Sequence, residues 1–503
     1  MKMSKLILAA TALALTVAFA GCGKSSGDPN PDNQNSNGQT NTVPDGWIPI
    51  RTAAELDAIR NNTSVDYIGN SVIAANYILM NDIDLTAAGY TNWVPIGSDT
   101  TAFAGRFNGN GHKITGLVIN NTTLRDVGLF SKTMITGNFD SSGYNYIDYY
   151  GSIRNLGVEI GAGGINGGSY VGGIVGDAGG SITNCYTAGN IAITFNSDPA
   201  NLPYVGGIAG EIEAGDSIVN CHTTGNISST IGCYAAGIAG KNYSGVIIDC
   251  YSTGNISPSS SDTYSYVYSS GIVGYNSGTI ANCFSSGNIS STTTNYYAGS
   301  CSGGIAAESG GTILNCYSTG NISSSSTYAI QAYWPPYGAF SGGIVGDGGD
   351  CTITNCYSTG SISALASATS AVYPTSSAAG GIIANVSYNK TIITGCAAIN
   401  NKIDATRNSS VNAGTFSVGR IAGYAGSTGD CTFSNNLASS TMAISANGVT
   451  VTGTSSGNDG TATVAGDFTK QATYEGIGWK FGSDDANPWK MGPGGYPVLY
   501  WQK

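Results

Sequence analysis

One column of residues constrains this chain more than any other feature. Ten times along the sequence, at intervals of about 30 to 40 residues, a position between two apolar sites holds only Asn, Asp or Gly. It is Gly116, Asn155, Asn184, Asn220, Asp249, Asn282, Asn315, Asn355, Gly395 and Asn435. These residue types enter the left-handed backbone region at low cost. The next position is Leu117, Leu156, Cys185, Cys221, Cys250, Cys283, Cys316, Cys356 and Cys396. Leu and Cys exchanging in one column mark a small, buried, apolar site. A left-handed residue there is a corner that turns one strand into the next. The corner resets the strand alternation, so Ile182 and Cys185 both point inward although three residues apart. Asn436 breaks the column in the last copy, and a slip of one residue onto Leu437 is expected there.

A second pattern, Gly-Gly-Ile-Val-Gly, precedes eight of the ten corners. Its copies begin at Gly172, Gly206, Ala236, Ser270, Gly303, Gly342, Gly380 and Gly419. Short β-branched runs broken by Gly and Asn read as strands and tight corners, and no helical apolar period runs through them. A fixed period of this size means stacked supersecondary units. The expected fold is all-β: a parallel β-helix, a three-stranded solenoid of about ten coils, with strands at 172–176, 181–184 and 185–191 in one copy. At the inter-strand spacing of sheets this is a rod roughly 50 Å long. Much of its 74 Gly therefore sits at fixed corners and in the first strand of each coil, not in flexible linkers.

The ends differ in composition. Lys2 and Lys5 precede an apolar run at 6–19, too short to span a bilayer, which ends in Phe19-Ala20-Gly21-Cys22. That is a lipoprotein signal, 1–21, with Cys22 taking the lipid. A flexible tether, 22–46, follows, rich in Asn, Ser, Gly, Asp and Pro. An N-terminal cap and opening coil occupy 47–100, where Thr52 and Glu55 form a capping box for a short helix at 52–62. The repeats fill 101–464. A C-terminal cap, 465–503, leaves the repeat pattern and carries Trp479, Trp489 and Trp501; it is expected to close the open end of the rod.

The repeats resemble the GLUG-motif family of bacterial surface proteins. The matching elements are Val171-Gly172-Gly173-Ile174-Val175-Gly176, Ser181-Ile182-Thr183-Asn184-Cys185-Tyr186 and their later copies. Asp82-Ile83-Asp84-Leu85, Trp93-Val94-Pro95-Ile96-Gly97, Phe107-Asn108-Gly109-Asn110-Gly111-His112 and Gly495-Tyr496-Pro497-Val498-Leu499 match too. The resemblance implies an exported, adhesin-like β-solenoid. The motif also occurs in non-catalytic parts of some immunoglobulin A-cleaving metallopeptidases. Their activity does not carry over, because it needs H-E-x-x-H, and here Lys113 follows His112 and Thr223 follows His222.

The chemistry is sparse. Only 10% of residues are charged and only 2 are His, so no metal, cofactor or catalytic set is expected. A net charge of −11 excludes nucleic acid as a partner. The stacked cysteines read as buried thiols. A column of Asp177, Glu211, Lys241, Tyr275, Glu308 and Asp347 follows the glycine motif and reads as a solvated turn. Tyr186, His222, Tyr251, Phe284, Tyr317 and Tyr357 follow the Cys column as a ladder of rings. The candidate ligand-binding residues lie in variable loops at 263–268, 295–297 and 327–340. They are Tyr264, Tyr266, Tyr268, Tyr296, Tyr297, Tyr333, Trp334 and Tyr337. Rigid rings among Ser and Gly make a paratope-like surface. The expected function is a non-catalytic, lipid-anchored cell-surface protein, in the outer membrane of a Gram-negative cell, binding a glycan or a host or neighbouring surface protein. The alternatives are a polysaccharide lyase or hydrolase using acids on adjacent coils, and a purely structural surface protein.

Overall fold

The computed structural model describes residues 39–66, 70–121, 123–139, 146–198, 200–262, 265–294, 299–328, 338–368, 376–386, 390–408, 416–425, 431–452 and 459–502. They are nearly all β, in long sheets of parallel strands of the kind a β-solenoid requires. One repeat shows the plan: β1 (Tyr170–Gly172), β2 (Val175–Ala178), β3 (Ser181–Thr183), β4 (Tyr186–Ala188) and β5 (Ile191–Ile193). Each strand pairs in parallel with its counterpart in the next repeat. In the β3 position the register runs Ile153, Ile182, Ile218, Ile247, Ile280, Ile313 and Ile353, all buried.

Five short strands therefore replace the three expected. The 172–176 segment is a bend between β1 and β2, and 185–191 is divided between β4 and β5. The glycines explain the first division. A Cβ on Gly207 would come within 2.2 Å of the Gly237 carbonyl oxygen and 2.8 Å of the Thr223 hydroxyl. The Thr187 hydroxyl in turn donates to the Gly207 carbonyl at 3.0 Å. The second Gly of the motif is thus set by close approach, with β4 of one coil reaching across to the bend of the next.

The left-handed corner is present in all ten copies. Asn184 has φ 54°, Asp249 56° and Asn355 53°, and Gly116 and Gly395 have φ 74° and 64°. The Asn amides form a ladder along the rod: Asn220 Nδ2 donates to Asn184 Oδ1 at 2.7 Å, and Asn184 Nδ2 to Asn155 Oδ1 at 3.2 Å. The column cysteines are buried thiols. The Cys185 backbone N–H meets the Cys221 Sγ at 3.4 Å, and the same contact recurs from Cys221 to Cys250 and onward. Asn436 does not cause the expected slip. Its Oδ1 accepts the Cys396 N–H at 2.9 Å, as a thiol does elsewhere, and Leu437 stays in register with Ala397. A second ladder lies at the Asn of the Gly-Asn-Ile runs at 189–191, 225–227, 254–256 and 287–289. Asn190, Asn226, Asn255 and Asn288 each accept, through Oδ1, the backbone N–H of the equivalent residue one coil on, at 2.9–3.1 Å.

The two ends are built differently. The helix α1 (Ala53–Ala58) carries the capping box of Thr52 and Glu55 and buries Ala53 and Leu56. It is shorter than 52–62, because residues 59–61 tighten into a 3-10 turn. The chain joins the fold before residue 47: Thr40 is buried, and its N–H donates to Asn110 Oδ1 at 2.7 Å. The C-terminal segment is not an end cap. It packs Trp479 and Trp489 on Tyr317, Tyr357 and Ala397, which belong to three successive repeats. Trp479 Nε1 donates to the Gly395 carbonyl at 2.6 Å, and the Tyr357 hydroxyl to the Pro497 carbonyl at 2.7 Å. This makes a second small core, separate from the long one inside the coils.

Candidate functional site

The variable segments leave the rod at one place in the repeat. In each coil they join the β5 strand to the next β1 strand. The flanking residues are Ser260 and Val267, then Thr293 and Ser300, then Tyr328 and Ala339. The flanking strands are neighbours within their own sheets: the β5 strands pair with one another, and so do the β1 strands. The segments at 263–268, 295–297 and 327–340 are therefore anchored along one edge.

Of the expected ligand-binding residues, Tyr266 and Tyr268 are described. Cys22, Tyr264, Tyr296, Tyr297, Tyr333, Trp334 and Tyr337 lie outside the described residues. Tyr268 belongs to a β1-type strand, not to a loop. It stacks on Tyr234 with ring centres 4.1 Å apart, and Tyr266 lies 6.2 Å from it at the loop margin. This ladder runs Tyr170, Tyr204, Tyr234, Tyr268. The signal for it was present: each Tyr stands three residues before the second Gly of the motif or its equivalent.

The ring ladder after the Cys column also forms. Tyr186, His222, Tyr251, Phe284, Tyr317 and Tyr357 stack with centres 4.6–5.3 Å apart and planes within 16° of parallel. Stacked rings spend their faces on one another and leave only edges outward. The terminal face of each stack, at Tyr186 and at Tyr170, is covered as well. A Cβ on Gly157 would fall 2.4 Å from the Tyr186 ring, and the Arg125 guanidinium lies 4.5 Å over Tyr170. Sugar stacking needs a ring face, so neither ladder offers a sugar platform. Burial pushes the His222 pKa down and keeps the imidazole neutral.

The acidic column is not a solvated turn. It faces the Tyr170 ladder across the glycine bend, and Asp177 and Glu211 are only 2% and 9% exposed. Lys132 pairs with Asp177, and also with Glu213 at 3.3 Å. The Lys241 ammonium pairs with Glu211 at 2.7 Å and sits 5.1 Å over the Tyr204 ring. Two coils on, Tyr234 donates to Glu308 at 3.1 Å, and Asn385 to Asp347 at 3.0 Å. Burial, with Asp347 beside it, pushes the Glu308 carboxyl up. Burial also raises Asp126 to about 8, helped by Asp99 and Asp177, and Asp216 to about 7 against the Gly180 N–H bond. Lys132 and Lys241 thus neutralise Asp177 and Glu211 within the fold. Among the described residues no group of three His, Cys, Asp or Glu side chains is arranged to hold a metal ion. Among them, too, no helix is long and apolar enough to cross a membrane.

Comparison with known proteins gives short matches. No family model matches the chain. It is 37% identical over 132 residues to a protein of Evansella cellulosilytica provisionally named a Gly-rich membrane protein, covering 22% of this chain and 14% of that one. It is 29% identical over 181 residues to Halomucin of Haloquadratum walsbyi, covering 35% of this chain and 2% of that one. The chain thus spans a small part of either relative's length. A solved structure provisionally described as an immunoglobulin A1 protease from Bacteroides ovatus aligns over 93% of this chain and 95% of its own. That match has 17% identity and a TM-score of 0.32.

Proposed function

We propose that this protein is a non-catalytic, lipid-anchored protein of the bacterial cell surface that holds glycan or protein ligands in its Tyr-rich loops. In this reading the parallel sheets are the walls of one β-helix of about ten coils, of the GLUG-motif kind. The carrying observation is the common anchorage of the loops. A rod that opens every coil at the same corner anchors along one edge the ends of the segments that carry Tyr264, Tyr266, Tyr296, Tyr297, Tyr333, Trp334 and Tyr337. The ring ladders and buried acids hold the coils and leave binding to that edge.

Lipid on Cys22 supplies the anchor in this reading, and the name of the Evansella relative supports a membrane setting. Thr40 is already docked, so the tether is fewer than twenty residues and reaches about 20–25 Å on average. The rival reading, a polysaccharide lyase or hydrolase, would use Glu308 and Asp347, which are register neighbours on adjacent coils. The soluble form, residues 39–503, is to be tested on a glycan array and in pull-downs from intact cells, and assayed against acidic and neutral polysaccharides. Retention without turnover is the expected result. Release of reducing ends or unsaturated products, abolished by Glu308→Ala or Asp347→Ala, would establish the enzyme instead.

A further inference from the structure

The C-terminal segment is a separate unit resting on the rod's flank. Its core of Phe468, Tyr474, Trp479, Trp489 and Leu499 closes over Tyr317, Tyr357, Ala397 and Ile399 and does not enter the core inside the coils. Such a unit can open locally while the rod stays folded. Its far end is the lighter contact. Trp501 lies 6.1 Å from the Tyr251 ring and 5.8 Å from Phe284, and Gln502 meets the Tyr317 hydroxyl at 2.7 and 3.0 Å.

The corner residue beneath that end is the exception in its column. Seven of the ten corners hold Asn, two hold Gly, and this one holds Asp249. Elsewhere the corner amide donates to the carbonyl oxygen of the preceding Asn, as Asn220 does to Asn184. An ionised Asp249 has no proton to offer Asn220. Burial raises its carboxyl, as does nearby Asp485 of the C-terminal segment, while Asn282 and the Trp501 indole act on the carboxylate as hydrogen-bond donors and lower it. Close by on the clasp, Asp485 accepts from the Tyr500 hydroxyl at 2.6 Å. Asp484 adds a further carboxylate. The Lys490 ammonium is held by the Tyr500 and Gln502 carbonyls. On the rod, Asn282 and the Cys250 thiol are its neighbours.

We propose that residues 465–502 are a detachable clasp, held to the rod most tightly when Asp249 carries a proton, so that the aromatic ledge beneath is uncovered more readily at neutral pH than in acid. A protonated Asp249 can donate to the ladder and does not repel Asp485. The ionised form cannot donate and repels Asp485, and the hydrogen bonds offered by Asn282 and Trp501 only partly offset its burial. Burial, with Asp485 nearby, pushes the Asp249 carboxyl up to about 6 from an ordinary value of 3.8, and part of that shift is lost as the clasp lifts. A group that binds its proton more tightly in the closed state favours closure below both values. Opening therefore increases between about pH 4 and pH 6 and then levels off. A shift of about two pH units sets a ceiling of about a hundredfold. The rod itself supplies part of the burial, so about tenfold is expected.

The test is hydrogen exchange of the segment 487–502 in the intact chain at pH 4.0 and pH 7.0, corrected for intrinsic rates. Opening in the natural protein should rise about tenfold between the two. Asp249→Asn should give equal opening at both, at or below the natural acid value. Asn holds this corner in seven other coils, so the variant keeps the fold. Equal opening in the natural protein, or the same tenfold rise in Asp249→Asn, would overturn the proposal.

Discussion

The left-handed corner makes a sharp prediction at Asn184, which is exposed and far from the clasp. Its φ is 54°, it donates to Asn155 at 3.2 Å, and it accepts from Asn220 at 2.7 Å. Asn184→Gly keeps the backbone relaxed and loses the two amide bonds. At an exposed site these contribute together about 1 kcal/mol. Asn184→Ala loses the same bonds and also forces a Cβ into the left-handed region, a further cost of about 1–2 kcal/mol. The alanine variant should thus be less stable than the glycine variant by about 1–2 kcal/mol, a factor of about 5–30 in the unfolding equilibrium. Guanidinium unfolding followed by far-ultraviolet circular dichroism measures this, with equal slopes required of both variants. If refolding is incomplete, unfolding rates give the same ranking. Equal stability of the two variants, or a more stable alanine variant, would refute the corner and with it the derivation of the coil.

Other predictions follow from burial and charge. Native protein treated with iodoacetamide should leave Cys185, Cys221, Cys250, Cys283, Cys316, Cys356 and Cys396 unlabelled, because each is at most 1% exposed; under denaturing, non-reducing conditions all seven should alkylate, as intact mass will show. Asp126 and Asp216, raised to about 8 and about 7, bind protons more tightly when folded, so their contribution to stability falls as pH rises from about 4 to about 8. Asp126→Asn should raise the melting temperature at pH 8 and change it little at pH 4. Trp489→Ala empties the centre of the clasp core and should destabilise that unit by about 3–5 kcal/mol. Binding of an apolar dye should increase while the circular dichroism of the rod is unchanged.

Much of this architecture was legible because a stacked coil repeats its constraints. The Asn, Asp and Gly column gave the corner, and the Leu and Cys column gave its buried neighbour. Where the reading failed, the missing information lay between coils. Gly-Gly looks like part of a strand in isolation. Only the neighbouring carbonyl 2.2 Å from a would-be Cβ at Gly207 makes it a bend. Asn436 looked like a break in register because nothing in the sequence shows an amide oxygen standing in for a thiol. The Glu211–Lys241 pair is legible from the column as a surface ion pair, but its burial, and Lys132 as the partner of Asp177, are not. The three Trp of the last segment read as an end cap, but composition cannot tell an end from a flank. The segments that carry the candidate binding residues are flanked by strands that pair from repeat to repeat, which anchors the ends of those segments along one edge.

The division between ladders that hold the coils and loops that bind is tested most directly by one capture experiment with two variants. In the first, Tyr264, Tyr266, Tyr296, Tyr297, Tyr333, Trp334 and Tyr337 are changed to Ser. In the second, the ladder residue Tyr204 is changed to Leu. Both are compared with residues 39–503 on the same glycan array and the same intact cells. Loss of capture in the loop variant alone, with both variants folded, is the predicted result. Undiminished capture by the loop variant, or equal loss in both, would contradict it.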